Sequence, residues 1–255
     1  MRRSRSRREA ILAEVARGQA DVDQLAVQFG VSASTIRRDL QALSAQHGVT
    51  RTYGGALLGP AFVQDIETSL VARRMINRAA KAAIATAALA VLRDGERLIL
   101  DGGSTVGAFG QVLGETRHLI ITNNMPMVPV LAAKPKIEVM VLGGAVRAIS
   151  MATCGSMAEQ ALRQVTADRC FISADGVLAG RGLCEASAEQ AALKSLMMEQ
   201  ANEIVVLADS SKLGRASQPF WATLDRPWTL ITDAGADVAQ CRLMASKGAK
   251  VIRAE

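Results

Sequence analysis

QADVDQLAVQFGVSASTIRRDLQALSAQHGVTRTYGGA, residues 19–56, places two short apolar-striped helices around a tight turn and follows them with a basic, glycine-bearing hairpin. Val22, Leu25, Ala26 and Phe29 recur at i, i+3, i+4 and i+7, which turns one stripe of the first helix inward. Gly30 stands where helices commonly stop, and Ser32 is placed to cap the next helix. In that second helix Ile36, Leu40 and Leu43 share one face at about 100° per residue and are expected in the core. Ser34, Arg37, Arg38 and Gln41 lie opposite, with Thr35 on the flank near the N-terminus, where a recognition helix meets base edges and phosphates.

A charged helix face is by itself only a solvated surface. Two neighbours give this one direction. Residues 1–8, MRRSRSRR, hold five arginines and no acid, an arm suited to phosphates or a minor groove. Residues 51–56, RTYGGA, set Arg51 and Tyr53 beside a Gly54-Gly55 turn able to form a two-stranded wing. The pattern predicts a winged helix-turn-helix that meets double-stranded DNA through Ser32, Ser34, Thr35, Arg37, Arg38, Gln41, Arg51 and Tyr53. Charge agrees: residues 1–58 carry nine Lys+Arg against five Asp+Glu, net +4, whereas the rest of the chain carries 21 against 19, net +2.

With 255 residues and 49% hydrophobic content, the chain can build a small module plus one sizeable domain with its own core. The N-terminal arginines imitate the start of a signal peptide, but Glu9, Glu14 and Arg17 interrupt the apolar run beyond them, and no uncharged run reaches 18 residues. The expectation is a cytoplasmic protein with no membrane partner. Cys154, Cys170, Cys184 and Cys241 are scattered without a CxxC pair and read as reduced packing thiols. His47 and His118 lack partners at ligand spacing, so no metal is expected.

From Gly59 to Ser69 periodicity is lost in GPAFVQDIETS, and an alanine-rich helix is predicted from about Val71 to Leu92. Apolar runs then alternate with helical stretches: 97–100, 119–122, 137–142, 169–173, 203–208, 229–232 and 250–252. Such runs indicate strands buried on both faces of a mainly parallel, Rossmann-like sheet, giving an α/β fold. The expected organisation is a winged helix-turn-helix domain over 1–58, a linker over 59–70, and an effector-sensing and oligomerisation domain over 71–255.

Ligands of such sheets bind at the carboxyl ends of the strands. Five of those ends are polar or glycine-rich: Asp101-Gly102-Gly103-Ser104-Thr105, Thr122-Asn123-Asn124, Gly143-Gly144, Ala174-Asp175-Gly176 and Asp209-Ser210-Ser211-Lys212. In the first, glycines would let the backbone approach an anion while a helix N-terminus and the hydroxyls of Ser104 and Thr105 donate to it, so a phosphate fits. Asp101, Asp175 and Asp209 suit sugar hydroxyls, with Lys194 as a nearby cation. Neither GxxxxGK[ST] nor GxGxxG occurs, and no nucleotide cofactor is expected.

At these residues the chain resembles the DeoR family of bacterial transcriptional regulators over almost its whole length. The resemblance is carried by Val31-Ser32, Thr35-Ile36-Arg37-Arg38-Asp39-Leu40 and Arg51-Thr52-Tyr53-Gly54-Gly55-Ala56 at the N-terminus. In the C-terminal half it rests on Asp101 to Thr105, Thr122-Asn123, Leu142-Gly143-Gly144, Ala174-Asp175-Gly176, Glu185 with Lys194, Asp209 to Lys212 and Leu230 to Asp233. The resemblance implies a sensor domain similar to ribose 5-phosphate isomerase and the coenzyme A transferases. It further implies a regulator, usually a repressor of carbohydrate catabolism, that binds operator DNA and a phosphorylated sugar and assembles as a dimer or tetramer. The implied effector set is Asp101, Gly102, Gly103, Ser104, Thr105, Asn123, Gly143, Asp175, Gly176, Glu185, Lys194, Asp209 and Lys212. Arg74, Asn77 and Lys81 fall on a helix like the family's first sensor helix, their role undecided.

Two other functions are open to the same residues. One is a sugar phosphate isomerase with an added DNA head, in which Asp101, Asp175, Glu185 and Lys194 move protons beside a carbonyl. The other is an architectural DNA-binding protein whose second domain only oligomerises. A DNA reader is hard to reconcile with a metabolic enzyme, and an oligomerisation module leaves the polar strand ends unexplained, so a regulator with no catalytic residues is the expectation.

Overall fold

A computed structural model describes residues 7, 10, 11, 20–47, 49–52, 55–58 and 67–255. The chain divides into two compact units, Met1–Ile66 and Glu67–Glu255. In the first, β1 (Ala20–Asp21) leads into α1 (Val22–Phe29) and α2 (Ala33–His47), followed by the hairpin of β2 (Val49–Thr52) and β3 (Gly55–Leu58). β1 and β2 flank β3, both antiparallel to it. Gly30 takes φ of 60° between the two helices, a left-handed conformation that costs a glycine little. Ile11, Val22, Leu25, Ile36 and Leu40 form the small core, with Ala26 and Phe29 packed against it, as the helical spacing requires. The wing differs in register from the expected Gly54-Gly55 turn. Thr52 pairs with Gly55, so Gly55 is in the strand and the two residues between are Tyr53 and Gly54, which lie outside the described residues. A two-residue connection is the length that suits the twist of paired strands.

The second unit opens with α3 (Leu70–Met75) and α4 (Arg78–Leu89), where one continuous helix was expected. Asn77 separates them at φ of 51°, its amide drawn 2.9 Å from Asp209 Oδ1, so a tertiary hydrogen bond interrupts a stretch whose local propensity is helical throughout. Then come β4 (Arg97–Leu100), α5 (Ser104–Val112), β5 (His118–Thr122), α6 (Val128–Ala132) and β6 (Ile137–Val141). A hairpin of β7 (Ala145–Arg147) and β8 (Ala152–Cys154) precedes α7 (Ser156–Leu162) and β9 (Ala167–Ile172). They are followed by β10 (Gly176–Leu178), β11 (Gly182–Glu185), α8 (Ala188–Glu199), β12 (Ala201–Leu207), β13 (Phe220–Ala222), β14 (Trp228–Asp233), α9 (Val238–Ser246) and β15 (Ala249–Ala254).

The seven apolar runs seen in the sequence become one seven-stranded sheet, ordered β15-β14-β12-β9-β4-β5-β6 and parallel at every pairing. β4 shows why the runs are continuous: Leu98 and Leu100 pack into one core cluster and Ile99 into the other, with no face left for water. From β4 the chain adds strands on one side as far as β6, then returns with β9 on the other side of β4. The reversal falls between β4 and β9, the position at which open parallel sheets leave a crevice. All four cysteines are free and buried, and burial pushes the Cys154 thiol up to about 11. Among the described residues no helix is long and apolar enough to cross a membrane.

Phe109 of α5 lies over Phe171 of β9 with ring centroids 4.4 Å apart, and both are fully buried. Phe109→Ala is expected to destabilise this unit by about 3–5 kcal/mol, read as a lowered unfolding midpoint in denaturant. A change below about 1 kcal/mol, the range of a surface substitution, would contradict that packing.

Candidate functional site

The face of α2 opposite the core presents Ser34, Arg37 and Arg38 to solvent, with Thr35 half-buried. Ser32 Oγ accepts the Thr35 N–H at 3.2 Å and lies 2.8 Å from Ser34 Oγ and 2.9 Å from Thr35 Oγ1, so three hydroxyls gather at the start of the helix. Hydroxyls and free N–H groups at a helix start are suited to a phosphate. The side chains of Gln41 and Arg51, and the whole of Tyr53, lie outside the described residues. Of the arginine arm only Arg7 is described. It is helical, and its Nε donates to the buried Asp39 Oδ2 at 2.7 Å, so Arg7 braces α2 from within the unit where a phosphate contact was expected.

In the second unit the crevice between β4 and β9 holds a buried charge cluster. Asp101 Oδ2 accepts the Ser173 amide at 2.9 Å and the Ser173 hydroxyl at 3.0 Å, and stands 3.3 Å from Lys194 Nζ. Lys194 donates to Ser173 O at 2.5 Å and to Glu185 Oε1. Burial drives the Glu185 carboxyl up to about 7, against the pull of Lys194. Burial would also lower the Lys194 ammonium, but Asp101, Glu185 and Asp175 outweigh it and hold the group above its ordinary range. Asp175 is reached by Arg73 Nη1 at 3.7 Å. Arg73 in turn faces Glu67, which Arg147 grips with both terminal nitrogens.

Four expected members, Asp101, Asp175, Glu185 and Lys194, are thus brought together, but Asp101, Glu185 and Lys194 partner one another and Asp175 pairs with Arg73. The glycines serve the same packing. A side chain on Gly103 would start 1.6 Å from Ser173 Oγ, one on Gly102 2.6 Å from Ala152 Cβ, and one on Gly176 2.4 Å from Arg215 O. Gly143, by contrast, is open to space. Asn123 donates to Thr153 O at 3.0 Å and Asn124 to Asp101 O at 3.3 Å, while the Oδ1 atoms of both are buried without a hydrogen-bond partner. Asp209 is enclosed by Asn77 and Ser211, and Lys212 is half-buried.

Beside this cluster is a cavity of about 310 Å³ between α3, α4 and α5, lined by Arg74, Arg78, Lys81, Ser104, Gly107 and Gln111 among others. Among the described residues that line it are three cations and no carboxylate. Of the strand-end loop only Ser104 reaches it; Thr105, one position on, is turned into the interior. Lys81 is buried, and its Nζ donates to Arg73 O at 2.5 Å and Ile76 O at 2.8 Å. Desolvation lowers its pKa, Asp209 opposes this, and Lys212 and Arg73 add to it. Arg78 was not singled out in the sequence, where an arginine inside one continuous expected helix is indistinguishable from a solvated charge. A second cavity of about 570 Å³ shares Arg78 but includes Asp233 and Asp237, which disfavour an anion there.

The family model for the DeoR-like helix-turn-helix domain matches residues 7–59, and that for the DeoR C terminal sensor domain matches residues 76–234. The chain is similar to the putative aga operon transcriptional repressor of Escherichia coli O157:H7, at 32% identity over 96% of this chain and 92% of that protein. It is also similar to the HTH-type transcriptional repressor GlcR of Bacillus subtilis, at 33% identity over 91% of this chain and 89% of the relative. Among solved structures, ribose 5-phosphate isomerase A from Methanocaldococcus jannaschii aligns at 22% identity and a TM-score of 0.40, covering 53% of this chain and 54% of that one.

The carboxyl of Glu185 titrates near 7 in the folded protein and in the ordinary carboxylate range when unfolded. The folded state therefore takes up that proton first, and the stability contributed by Glu185 grows as pH falls and is lost as pH rises through about 7. The Tm of the native protein minus that of Glu185→Gln is expected to be more positive at about pH 5.5 than at about pH 8. A difference that is flat or runs the other way would show that Glu185 does not hold this proton.

Proposed function

The chain belongs to the DeoR family of transcriptional regulators, and from that premise we propose that it represses a carbohydrate catabolic operon and is relieved by a phosphorylated sugar. The DNA contacts are assigned to Ser32, Ser34, Thr35, Arg37 and Arg38 of α2 and its cap, with Gln41, Arg51 and Tyr53 completing the surface. A helix-turn-helix reader commonly meets two half-sites as a dimer, which supports a homo-oligomer, and a DNA target supports a cytoplasmic location.

The observation that carries the effector reading is the charge of the smaller cavity. Arg74, Arg78 and Lys81 converge there with the Ser104 hydroxyl and no acid. Its volume of about 310 Å³ is at the lower end of small-molecule sites and suits a single sugar phosphate. A phosphate near neutral pH carries close to two negative charges and accepts several charge-assisted hydrogen bonds, which offsets the desolvation of Lys81. The unpartnered Asn123 Oδ1 and Asn124 Oδ1 are the acceptors assigned to sugar hydroxyls, together with Asp101 and Asp175 at the crevice and Asp209 and Lys212 at the next strand end. The names of the relatives point the same way, since one is a putative repressor of an aga operon. Control follows by population shift: the effector must favour the weakly binding arrangement by about 1.4 kcal/mol for each tenfold loss of operator affinity.

Arg38→Ala is expected to weaken binding to an operator from the chain's own upstream region by about 1–3 kcal/mol in fluorescence anisotropy, with sugar phosphate binding unaltered. Undiminished operator affinity would remove Arg38 from the DNA surface. Ser104→Ala should do the converse, weakening hexose or pentose phosphates by about 1.5–3 kcal/mol in calorimetry while leaving unliganded DNA binding intact. If no phosphorylated sugar binds the native protein, or if Ser104→Ala binds it equally well, the cavity is not the effector site.

A further inference from the structure

We propose that α3 is a strap whose release transmits effector binding: an anion that recruits the Lys81 ammonium withdraws it from Arg73 O and Ile76 O, freeing the segment that joins the sensor to the preceding unit. The proposal rests on the assignment of the Arg74–Arg78–Lys81–Ser104 cavity to a phosphate and adds how occupancy of that cavity is communicated.

Three observations converge on it. First, α3 has little of its own to hold it down. Of its six residues only Leu70 is buried, and Val71 and Met75 are 72% and 69% exposed. A segment with so few buried apolar contacts belongs to the low-stability end of a fold, and polar ties decide whether it stays docked.

Second, those ties are concentrated at its two ends. At the C-terminal end Lys81 Nζ donates to the carbonyls of Arg73 and Ile76 beside the last turn, which the Ile76 N–H closes on Ala72 O. At the N-terminal end Leu70 N donates to Ile149 O at 2.8 Å, and Glu67 is held by Arg147. Arg73 bridges the two ends electrostatically, lying 3.8 Å from Glu67 and 3.7 Å from Asp175, yet its Nε and Nη2 are buried without a hydrogen-bond partner. The guanidinium is thus seated by charge but not by fitted hydrogen bonds, so it resists a small displacement weakly.

Third, the joint behind the strap is fixed. Asn77, left-handed at φ of 51°, separates α3 from α4, and its amide is bound to Asp209 Oδ1 and Ser211 Oγ. α3 can therefore swing at Ile76 and Asn77 while α4, carrying Arg78 and Lys81, stays on the sheet. Lys81 lies where cavity and strap meet: an ammonium has three donors, two are committed to the strap, and the residue lines the cavity. A dianion is a far stronger acceptor than two neutral carbonyls, and in a desolvated position the competition favours it. Glu67, at the other end of the strap, is the first residue of the sensor unit, so motion of α3 reaches the chain that leads to the DNA-reading unit through covalent connection alone.

The test is hydrogen exchange on the full-length protein with and without inorganic phosphate or hexose 6-phosphates, alongside thermal shift to establish binding. The Arg73 and Ile76 amides, bonded to Ser69 O and Ala72 O, are expected to exchange about tenfold faster when ligand is bound, while amides of β4 and β9 do not accelerate. In Lys81→Met the same amides should already exchange fast without ligand. Glu67→Gln lies outside the cavity and is expected to bind phosphate as the native protein does, yet to lose the ligand's effect on operator affinity. Binding without faster exchange over residues 70–76, or with slower exchange, overturns the strap while leaving the cavity assignment standing. Absence of any binding overturns both. Retention of full ligand control by Glu67→Gln removes the strap from the route even if α3 loosens.

Discussion

One carboxylate oxygen fastens the place where the sheet turns back on itself. Asp101 Oδ2 takes the amide and the hydroxyl of Ser173 and stands against the Lys194 ammonium, tying the end of β4 to the end of β9 across the reversal in strand order. The rest of the site inherits its position from that knot. It brings Ser173 Oγ to the point a side chain on residue 103 would occupy, so a glycine is required there. It also sets where α5 begins, and hence where Ser104 stands relative to the cations of α3 and α4.

The charges around that knot are buried, and buried ion pairs add little net stability once desolvation is counted. What they supply is position. Asp101, Glu185 and Lys194 are each held by a partner, so the cluster resembles a frame more than an acid and base awaiting a substrate. Asp101 and Asp175 stood out from their places at strand ends, and Glu185 and Lys194 from the family resemblance; the fold brings these four near one another. Burial and hydrogen bonding distinguish that cluster from the cavity lined by Arg74, Arg78 and Lys81.

Legibility followed burial symmetry. Strands covered on both faces are apolar without interruption, so all seven strands of the large sheet stood out, with ends shifted by one or two residues. The head was legible for a different reason: its helices bury one stripe each, and Val22, Leu25, Ile36 and Leu40 return at helical spacing. The strands of β7, β8, β10, β11 and β13 were not anticipated, because three or four residues do not establish a period. The break at Asn77 was invisible too, since neither Gly nor Pro marks it and the bond to Asp209 comes from 132 residues away in sequence. Thr105 was expected beside Ser104 at a phosphate; Ser104 lines the cavity, while the Thr105 side chain is buried in the interior.

The strand order has an implication for the order of synthesis. The head completes its pairings by residue 58, the farthest of them joining Ala20 to Ala56. β4, by contrast, has β9 as one of its two partners, so its outer edge stays open until residues 167–172 have left the ribosome. A DNA-reading module can therefore be complete while the body behind it still offers an unpaired apolar strand, a condition in which parallel sheets fold slowly and invite chaperones.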